Sequence, residues 1–458
     1  MKVFCYYLSI LFTLGFNLNC EAQNKKKPVT PDRPFHAAER PKNLSDTALL
    51  DLVQKQTFRY FWDFGHPVSA MARERSNIAY DYGNEVVTTG GTGFGIMAMV
   101  VAAERKWQPR DSIAMRLLKM VKFLSKADHY HGIFPHWLNG ATGKTIPFSR
   151  KDDGGDLVES SFLFQGLLAA RQYFDADNEL ENDLRNRISW LWNDAEWDWY
   201  THDGRDQLYW HWSPNHGWAM NFELRGYNET LITYIIAASA PKYSVGANVY
   251  NRCWAESNHF KNGKEFYGIT LPLGFDYGGP LFFAHYSFLG LDPRNLKDRY
   301  ANYWEQNQHH SLINYKHCVA NPGKFKGYGE NSWGLTASDT YNGYNAHSPT
   351  NDFGTITPTA ALSSFPYTPT ESMRALRHFY DDLGDKIWSE YGFTDAFNES
   401  QNWYAKSHLA IDQGPIIVMI ENYRTALLWN LFMKDPDIQN GLRKLGFESP
   451  ALKNIRKY

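Results

Sequence analysis

The sequence has little cysteine. Its 458 residues hold four, and Cys5 and Cys20 lie within the first twenty. Cys253 and Cys318 remain; one pair permits a disulfide but makes no disulfide framework. No Cys/His spacing of the zinc-binding kind occurs. Net charge is also scarce: 47 Lys and Arg against 49 Asp and Glu leave −2. That balance argues against nucleic acid or an acidic membrane surface as partner. Past the N-terminus no segment is long and apolar enough to span a bilayer.

Aromatic residues, by contrast, make up 16% of the chain, with 16 Trp and 28 Tyr. Their flat apolar faces and polar edges suit sugar rings as well as cores. Residues 1–22 read as an export signal, with Lys2, an apolar run from Tyr7 to Phe16 and cleavage after Ala22. A periplasmic or secreted location follows. Lipid attachment at Cys20 is the rival, which Asn19 fits poorly. Residues 23–45 are polar and Pro/Lys-rich and are expected to be a disordered lead-in. Residues 46–458 are expected to form one domain, and the chain a monomer.

Apolar periodicity is helical nearly throughout. It predicts helices over 46–62, 94–106, 111–127, 157–174, 179–193, 228–239, 246–259, 281–290, 295–318, 357–364, 369–382 and 414–433. The links between them alternate. Short ones lie near 107–110, 175–178, 240–245, 291–294 and 365–368; long ones lie near 63–93, 128–156, 194–227, 260–280, 319–356 and 383–413. Long loops in a compact domain are usually functional. Their regular phase predicts an all-α (α/α)6 toroid: outer helix, long loop, inner helix, short link. All six long loops then form a cleft on one face, at the N-termini of the inner helices. Surrounded helices have little solvent face, as Gly93–Ala103, Leu163–Ala170 and Gly414–Ile420 suggest. Pro415 suits a first helical turn.

The stretch from Asp152 to Glu159 concentrates acid: Asp152, Asp153, Asp156 and Glu159 fall in eight positions, interrupted by Gly154 and Gly155. Asp156 and Glu159 share one face of a first helical turn. Asp156 as N-cap, with Glu159 completing a capping box, is the plainer reading. It leaves Asp152, Asp153 and the crowding of like charges unexplained; such crowding raises carboxyl pKa values. Glu229 and Asp412 occupy the same place at the tops of two other inner helices. Asp152, Asp156, Glu159, Glu229 and Asp412 thus converge on one mouth. Taken singly, each is also a helix-start carboxylate favoured by the dipole. Trp137, Trp212, Trp218, Trp333 and Trp403 are candidate sugar platforms, each equally open to a packing role. Arg225 and His216 are candidate hydroxyl binders. Paired carboxylates in an aromatic cleft point to glycoside hydrolysis, where one protonates the leaving oxygen and the other activates water or attacks.

Other chemistries fit less well. Asp152-Asp-Gly-Gly-Asp156 matches a magnesium-diphosphate pattern, but its glycines oppose the helix that pattern needs. A structural calcium loop from the same acids is a further alternative. The glycines of Gly90-Gly-Thr-Gly93 lack a P-loop lysine and read as close helix packing. A polysaccharide lyase needs basic groups at a uronate, and this mouth is acidic. A glycan-binding protein without catalysis stays open as the non-enzyme alternative. Neither cofactor nor metal is expected.

Several segments in order resemble the glucoamylase-like domain family: Gly90–Gly95, Asn331-Ser-Trp-Gly-Leu-Thr-Ala-Ser-Asp339, Thr357–Ala361, Tyr391-Gly-Phe-Thr-Asp-Ala-Phe397 and Ile411-Asp-Gln-Gly-Pro-Ile416. The resemblance covers roughly residues 45–435. It is strongest to the exported endo-β-1,2-glucanases of glycoside hydrolase family 144. It implies the (α/α)6 barrel, hydrolysis of a β-1,2-glucan with inversion, and Asp152, Asp156, Glu159, Glu229 and Asp412 as the acids of activity. Glu229 is then expected as general acid and Asp412 as general base through water. The rival assignment puts Glu159 in the pair. An exo-acting enzyme releasing disaccharide is the alternative within hydrolases.

Overall fold

The computed structural model describes residues 36–77 and 83–452. The expected export signal, residues 23–35 of the lead-in and residues 78–82 of the first long loop lie outside the described residues.

Six helical pairs follow one another. Outer helix α1 (Asp46–Trp62) is capped by Ser45, whose hydroxyl accepts from Ala48 N–H at 3.2 Å. Inner helix α2 (Thr89–Glu104) follows, then α3 (Arg110–Leu124) and α4 (Leu157–Tyr173). Next come α5 (Glu179–Asp194), α6 (Leu231–Ser239), and α7 (Ala247–Val249) with its continuation Tyr250–Ala255. After two 3-10 turns at Leu281–Ala284 and Tyr286–Phe288 come α8 (Tyr303–Ala320), α9 (Pro358–Leu362) and α10 (Pro369–Arg377), which runs on as His378–Asp382. A short α11 (Gly384–Ile387) precedes α12 (Ala410–Thr425), α13 (Leu427–Met433) and α14 (Pro436–Leu445).

The inner ring closes on itself. Helix α2 packs on α4, α4 on α6, and α6 on the 3-10 turns; α9 packs on α12, and α12 returns to α2. His285 and Ser364 (2.9 Å) and the Tyr367 hydroxyl on Ala284 O (3.2 Å) tie the 3-10 segment to the α9–α10 link. This is the expected (α/α)6 toroid. The long connections span 63–88, 125–156, 195–230, 256–280, 321–357 and 388–409, all leading into inner elements.

Close approach of the inner helices is set by glycine. A Cβ on Gly93 would collide with the Phe162 carbonyl, and one on Gly166 with the Gly93 carbonyl. One on Gly414 would strike Phe94. The glycines of residues 90–95 therefore serve helix packing, as expected. Helix α2 begins at Thr89, ahead of the expected 94, because burial of residues 89–103 outweighs the poor helix propensity of glycine.

Four other expectations change. The 281–290 helix is two 3-10 turns, since side chains take its backbone groups. Gln165 donates to Tyr286 O (3.0 Å), Trp429 to Phe288 O (2.7 Å) and Asn422 to Leu289 O (2.9 Å). Helix α8 starts at Tyr303, capped by Asn302, because the Asp298 carboxylate first holds a turn through Tyr300 and Ala301 N–H. Helix α12 starts at Ala410, which leaves Pro415 inside it, and it breaks at Ala426 (φ 59°). Finally, residues 36–44 of the expected disordered lead-in lie against the domain. Glu390 N–H donates to His36 O (2.9 Å), Trp388 to Glu39 O (3.3 Å) and the Tyr380 hydroxyl to Pro41 O (3.0 Å). A polar composition did not prevent docking, because backbone carbonyls, the Arg40 guanidinium and the side chains of Ala38 and Leu44 all find partners. Helix α14, unexpected from the sequence, is capped by Asp435 and covers α6.

Gly93→Val should cost at least ~2 kcal/mol by overpacking the α2–α4 contact. Gly329→Ala, which enters open space at an ordinary φ, should stay within ~0.5 kcal/mol. Urea unfolding followed by circular dichroism measures both.

Candidate active site

Strand pairing between the long loops assembles the first wall. Strand β1 (Val86–Thr88) pairs with β2 (Trp137–Asn139), and β2 with β3 (Thr145–Ile146), joining loops one and two. Strand β4 (Gly155–Asp156) pairs with β5 (His211–Trp212), joining loops two and three and setting Asp156 opposite His211. A Cβ on Gly154 would strike the Trp212 carbonyl, and one on Gly155 the Tyr200 hydroxyl. The two glycines thus admit loop three against the acid stretch.

Asp156 is fully buried and caps α4. Its Oδ1 accepts from Val158 N–H (3.0 Å) and Glu159 N–H (2.9 Å). Its Oδ2 faces His136 Nδ1 (3.0 Å) and His211 Nε2 (3.4 Å). The N-cap reading of Asp156 holds, but Glu159 does not complete a capping box: its Oε2 accepts from Gly90 N–H (2.7 Å), on α2. Asp152 Oδ2 meets the same nitrogen, His211 Nε2, at 3.0 Å, while His136 Nε2 reaches Glu159 at 3.9 Å. The expected crowding of like charges is therefore relieved by two histidines. Burial opposes their charging, yet Asp152 and Asp156 carry His211 up to about 10. Glu159, Asp156 and Asp152 likewise carry His136 to about 9. Burial would raise Asp156, but the two histidines hold it well below the usual carboxylate range. Glu159 is raised by burial, with His136 pulling against. Asp153 turns away to Ser213 and Asn215. His136, Asp152 and Asp156 present atoms within 4.8 Å of one another. Calcium needs six to eight oxygens, and the space between Asp152 and Asp156 is bridged by the His211 N–H. This donor set does not fit calcium.

Glu229 stands apart from these pairings. It precedes α6, is 9% exposed, and its Oε2 has no partner among the described residues. Burial pushes it up to about 8, with Glu159 adding to the rise. Ser287 Oγ fixes its backbone carbonyl at 2.6 Å.

Asp412, in the first turn of α12, is buried, and neither of its carboxyl oxygens has a donor among the described residues. Beside it lies the carboxyl of Asp395, also buried. Asp395 Oδ2 accepts from Asp339 N–H (2.7 Å), whereas its Oδ1 has no such partner. Arg75 holds Asp339 at 3.1 Å and neighbouring Glu74 at 2.8 Å. Asp339 pairs with Tyr344 across the Ala337–Thr340/Gly343–Ala346 hairpin. Burial raises both Asp395 and Asp412. Tyr286, from the second 3-10 turn, joins the walls: burial lifts its pKa, and the charges of Asp412, Glu159 and Glu229 all act on it.

The structure thus gathers Glu159, Glu229 and Asp412 around Tyr286, with Asp152 and Asp156 in the histidine-bridged wall. The platform expectations need correction. Trp333 is buried core, its Nε1 donating to Glu371 O at 3.2 Å. Trp137 is buried with Val86 and Ile146, its ring edge-on to Phe148 at 4.9 Å. Trp137 packs where loop strands close over apolar neighbours, and Trp333 packs against Tyr315 of α8. Trp218 is half-buried and stacked on His202 at 4.6 Å. Trp212 is half-buried beside His131 and Trp199, and Trp403 half-buried in the Phe397–Asn398/Trp403–Tyr404 hairpin. His216 is exposed, and Arg225 is exposed and paired with Glu223. Sequence reasoning missed His136, His211, Tyr286, Asp339 and Asp395 as members of the site. Asp395 and Asp339 carried a signal, since both lie in segments that resemble the family.

The Glycoamylase family model, described as "Putative glucoamylase", matches residues 221–436. A solved structure from Bacteroides uniformis bearing the same description is 60% identical, at TM-score 0.88, over 90% of this chain and 100% of that one. An endo-β-1,2-glucanase from Chitinophaga pinensis, solved with sophorotriose and glucose, is 54% identical, at TM-score 0.87, over 90% and 100%. An exo β-1,2-glucooligosaccharide sophorohydrolase (non-reducing end) from Parabacteroides distasonis is 48% identical over 423 residues, which are 88% of this chain. This chain spans 58% of the length of that relative. The chain belongs to the glucoamylase-like family of glycoside hydrolases that includes these β-1,2-glucanases.

Proposed function

We propose that the chain hydrolyses β-1,2-glucan within the chain, inverting the anomeric centre, with Glu229 as general acid and Asp412 as general base. The observation that carries this reading is the pair of buried carboxyls with oxygens unpartnered among the described residues, at the tops of two inner helices, both acting through charge on Tyr286. A general acid must hold its proton at neutral pH, and burial gives Glu229 that property. Glu159 is already engaged by Gly90 N–H and His136, so it suits a supporting role. An inverting pair stands about 6.5–9.5 Å apart to admit water. The substrate class follows from the relatives, and the endo-glucanase from Chitinophaga pinensis supports internal cleavage. A second reading, disaccharide release from the chain end, is favoured by the Parabacteroides distasonis relative. We also propose export, on the pattern of residues 1–22.

Linear β-1,2-glucan, laminarin, cellulose and starch incubated with the enzyme, followed by product sizing, test the substrate. Sugar release from β-1,2-glucan alone is expected, with mixed oligomers appearing early. Disaccharide from the first time point would establish exo action, and no release from β-1,2-glucan would overturn the substrate. Proton NMR of the first product should show the inverted anomer.

Glu229→Gln should lower kcat by about 10²–10⁴-fold. Because Glu229 must be protonated, wild-type activity should fall as pH rises through about 8. An alkaline limb lying well below or above that value would argue against Glu229 as the acid.

A further inference from the structure

Asp395 Oδ1 and both oxygens of Asp412 are buried without an N–H or hydroxyl donor among the described residues, and the two carboxyls lie within hydrogen-bonding reach of each other. Two carboxylates facing one another in a desolvated site cannot both ionise; one proton between them satisfies both. The surroundings decide which carboxyl keeps it. Asp395 Oδ2 accepts from Asp339 N–H at 2.7 Å, which leaves Oδ1 to bear a hydrogen toward Asp412. Around the pair stand Asp339, Glu74, Arg75, Tyr344 and Tyr286. The guanidinium of Arg75 pairs with Asp339 and Glu74, and its charge also favours the Asp412 anion.

We propose that Asp395 is a positioning residue that keeps one proton and donates it in a hydrogen bond to Asp412, holding Asp412 as the anion that receives a proton from the attacking water. This rests on the hydrolase reading. In the step, the water O–H breaks and its proton goes to Asp412. The water oxygen bonds the anomeric carbon, the glycosidic C–O bond breaks, and the leaving oxygen takes the proton of Glu229. Solvent then removes the proton from Asp412 and reprotonates Glu229, while Asp395 keeps its own throughout.

Asp395→Asn offers an N–H to Asp412 and a carbonyl to Asp339 N–H, preserving both bonds. Asp395→Ala removes them. The acid limb of kcat against pH should stay within about 0.3 units of wild type in the Asn variant, whatever rate remains. It should move up by about one unit or more in the Ala variant, since Asp412 would then ionise without a donor. A readout independent of turnover is the pH dependence of thermal unfolding. A carboxyl kept protonated by folding and ionised on unfolding lowers stability as pH rises above its unfolded value near 4. Between pH 5 and 8 the wild-type midpoint should therefore fall more steeply than that of Asp395→Asn, which lacks this proton; Glu229 contributes equally to both. Equal slopes in the two proteins, or equal acid-limb shifts in the Asn and Ala variants, would overturn the proposal. If wild type released no sugar from any glucan, the hydrolase reading would fail, and the unfolding slopes would still decide whether Asp395 holds the proton.

Discussion

The approach of α2 to α4 and α12, set by glycine, is the constraint on which the site depends. At Gly93 and Gly166 the two helices meet backbone to backbone, with no room for a side chain. The same closeness leaves the first turn of α2 under the carboxylate of Glu159, and Gly90 N–H meets it at 2.7 Å. Any side chain at residue 90 would displace that carboxylate, since a Cβ there would sit 2.5 Å from Glu159 Oε2. On the other side, Gly91 lies under Ala410, where α12 begins two residues before Asp412. Helix spacing, which reads as a matter of packing, therefore fixes where two of the carboxyls stand.

Around the mouth the acids have separate electrostatic conditions. On one wall, Asp152 and Asp156 face His211 and His136, so that opposite charges balance within a buried cluster. On the other, Arg75 pairs with Asp339 and Glu74, and Asp395 and Asp412 lie beside one another. Glu229 has neither arrangement; burial raises it most, and Glu159 adds to the rise. Carboxyls of one chemical type thus meet different surroundings: two histidines hold Asp156 low, whereas burial raises Glu229, Asp395 and Asp412.

The ring was legible because surrounded and amphipathic helices differ in composition, and because six long loops recur in one phase. Glu229 and Asp412 were legible by position, at the starts of inner helices. What the sequence did not disclose depends on contacts between distant loops. His211 becomes a site residue only because β5 pairs with β4 across 55 positions of chain. The 281–290 segment has helical periodicity but yields to Gln165, Asn422 and Trp429, which claim its carbonyls. Trp333 and Trp137 share the residue type of a sugar platform; burial, which composition does not encode, makes them core. Residues 36–44 show the converse, a polar segment held by its backbone carbonyls and the Arg40 side chain.

Which carboxyl is the base can be argued from what each already binds. Glu159 has a backbone donor at 2.7 Å and a charged histidine at 3.9 Å; both favour its anion but occupy it. A base needs an oxygen left over for water. Asp412 has two without a donor among the described residues, yet an isolated buried anion would be costly. A hydrogen bond from one neighbouring carboxyl resolves that conflict: it satisfies one oxygen, stabilises the anion and leaves the other oxygen open. Asp395, in the last long loop, stands where such a donor is required, and a salt bridge in its place would have neutralised the charge that water must meet.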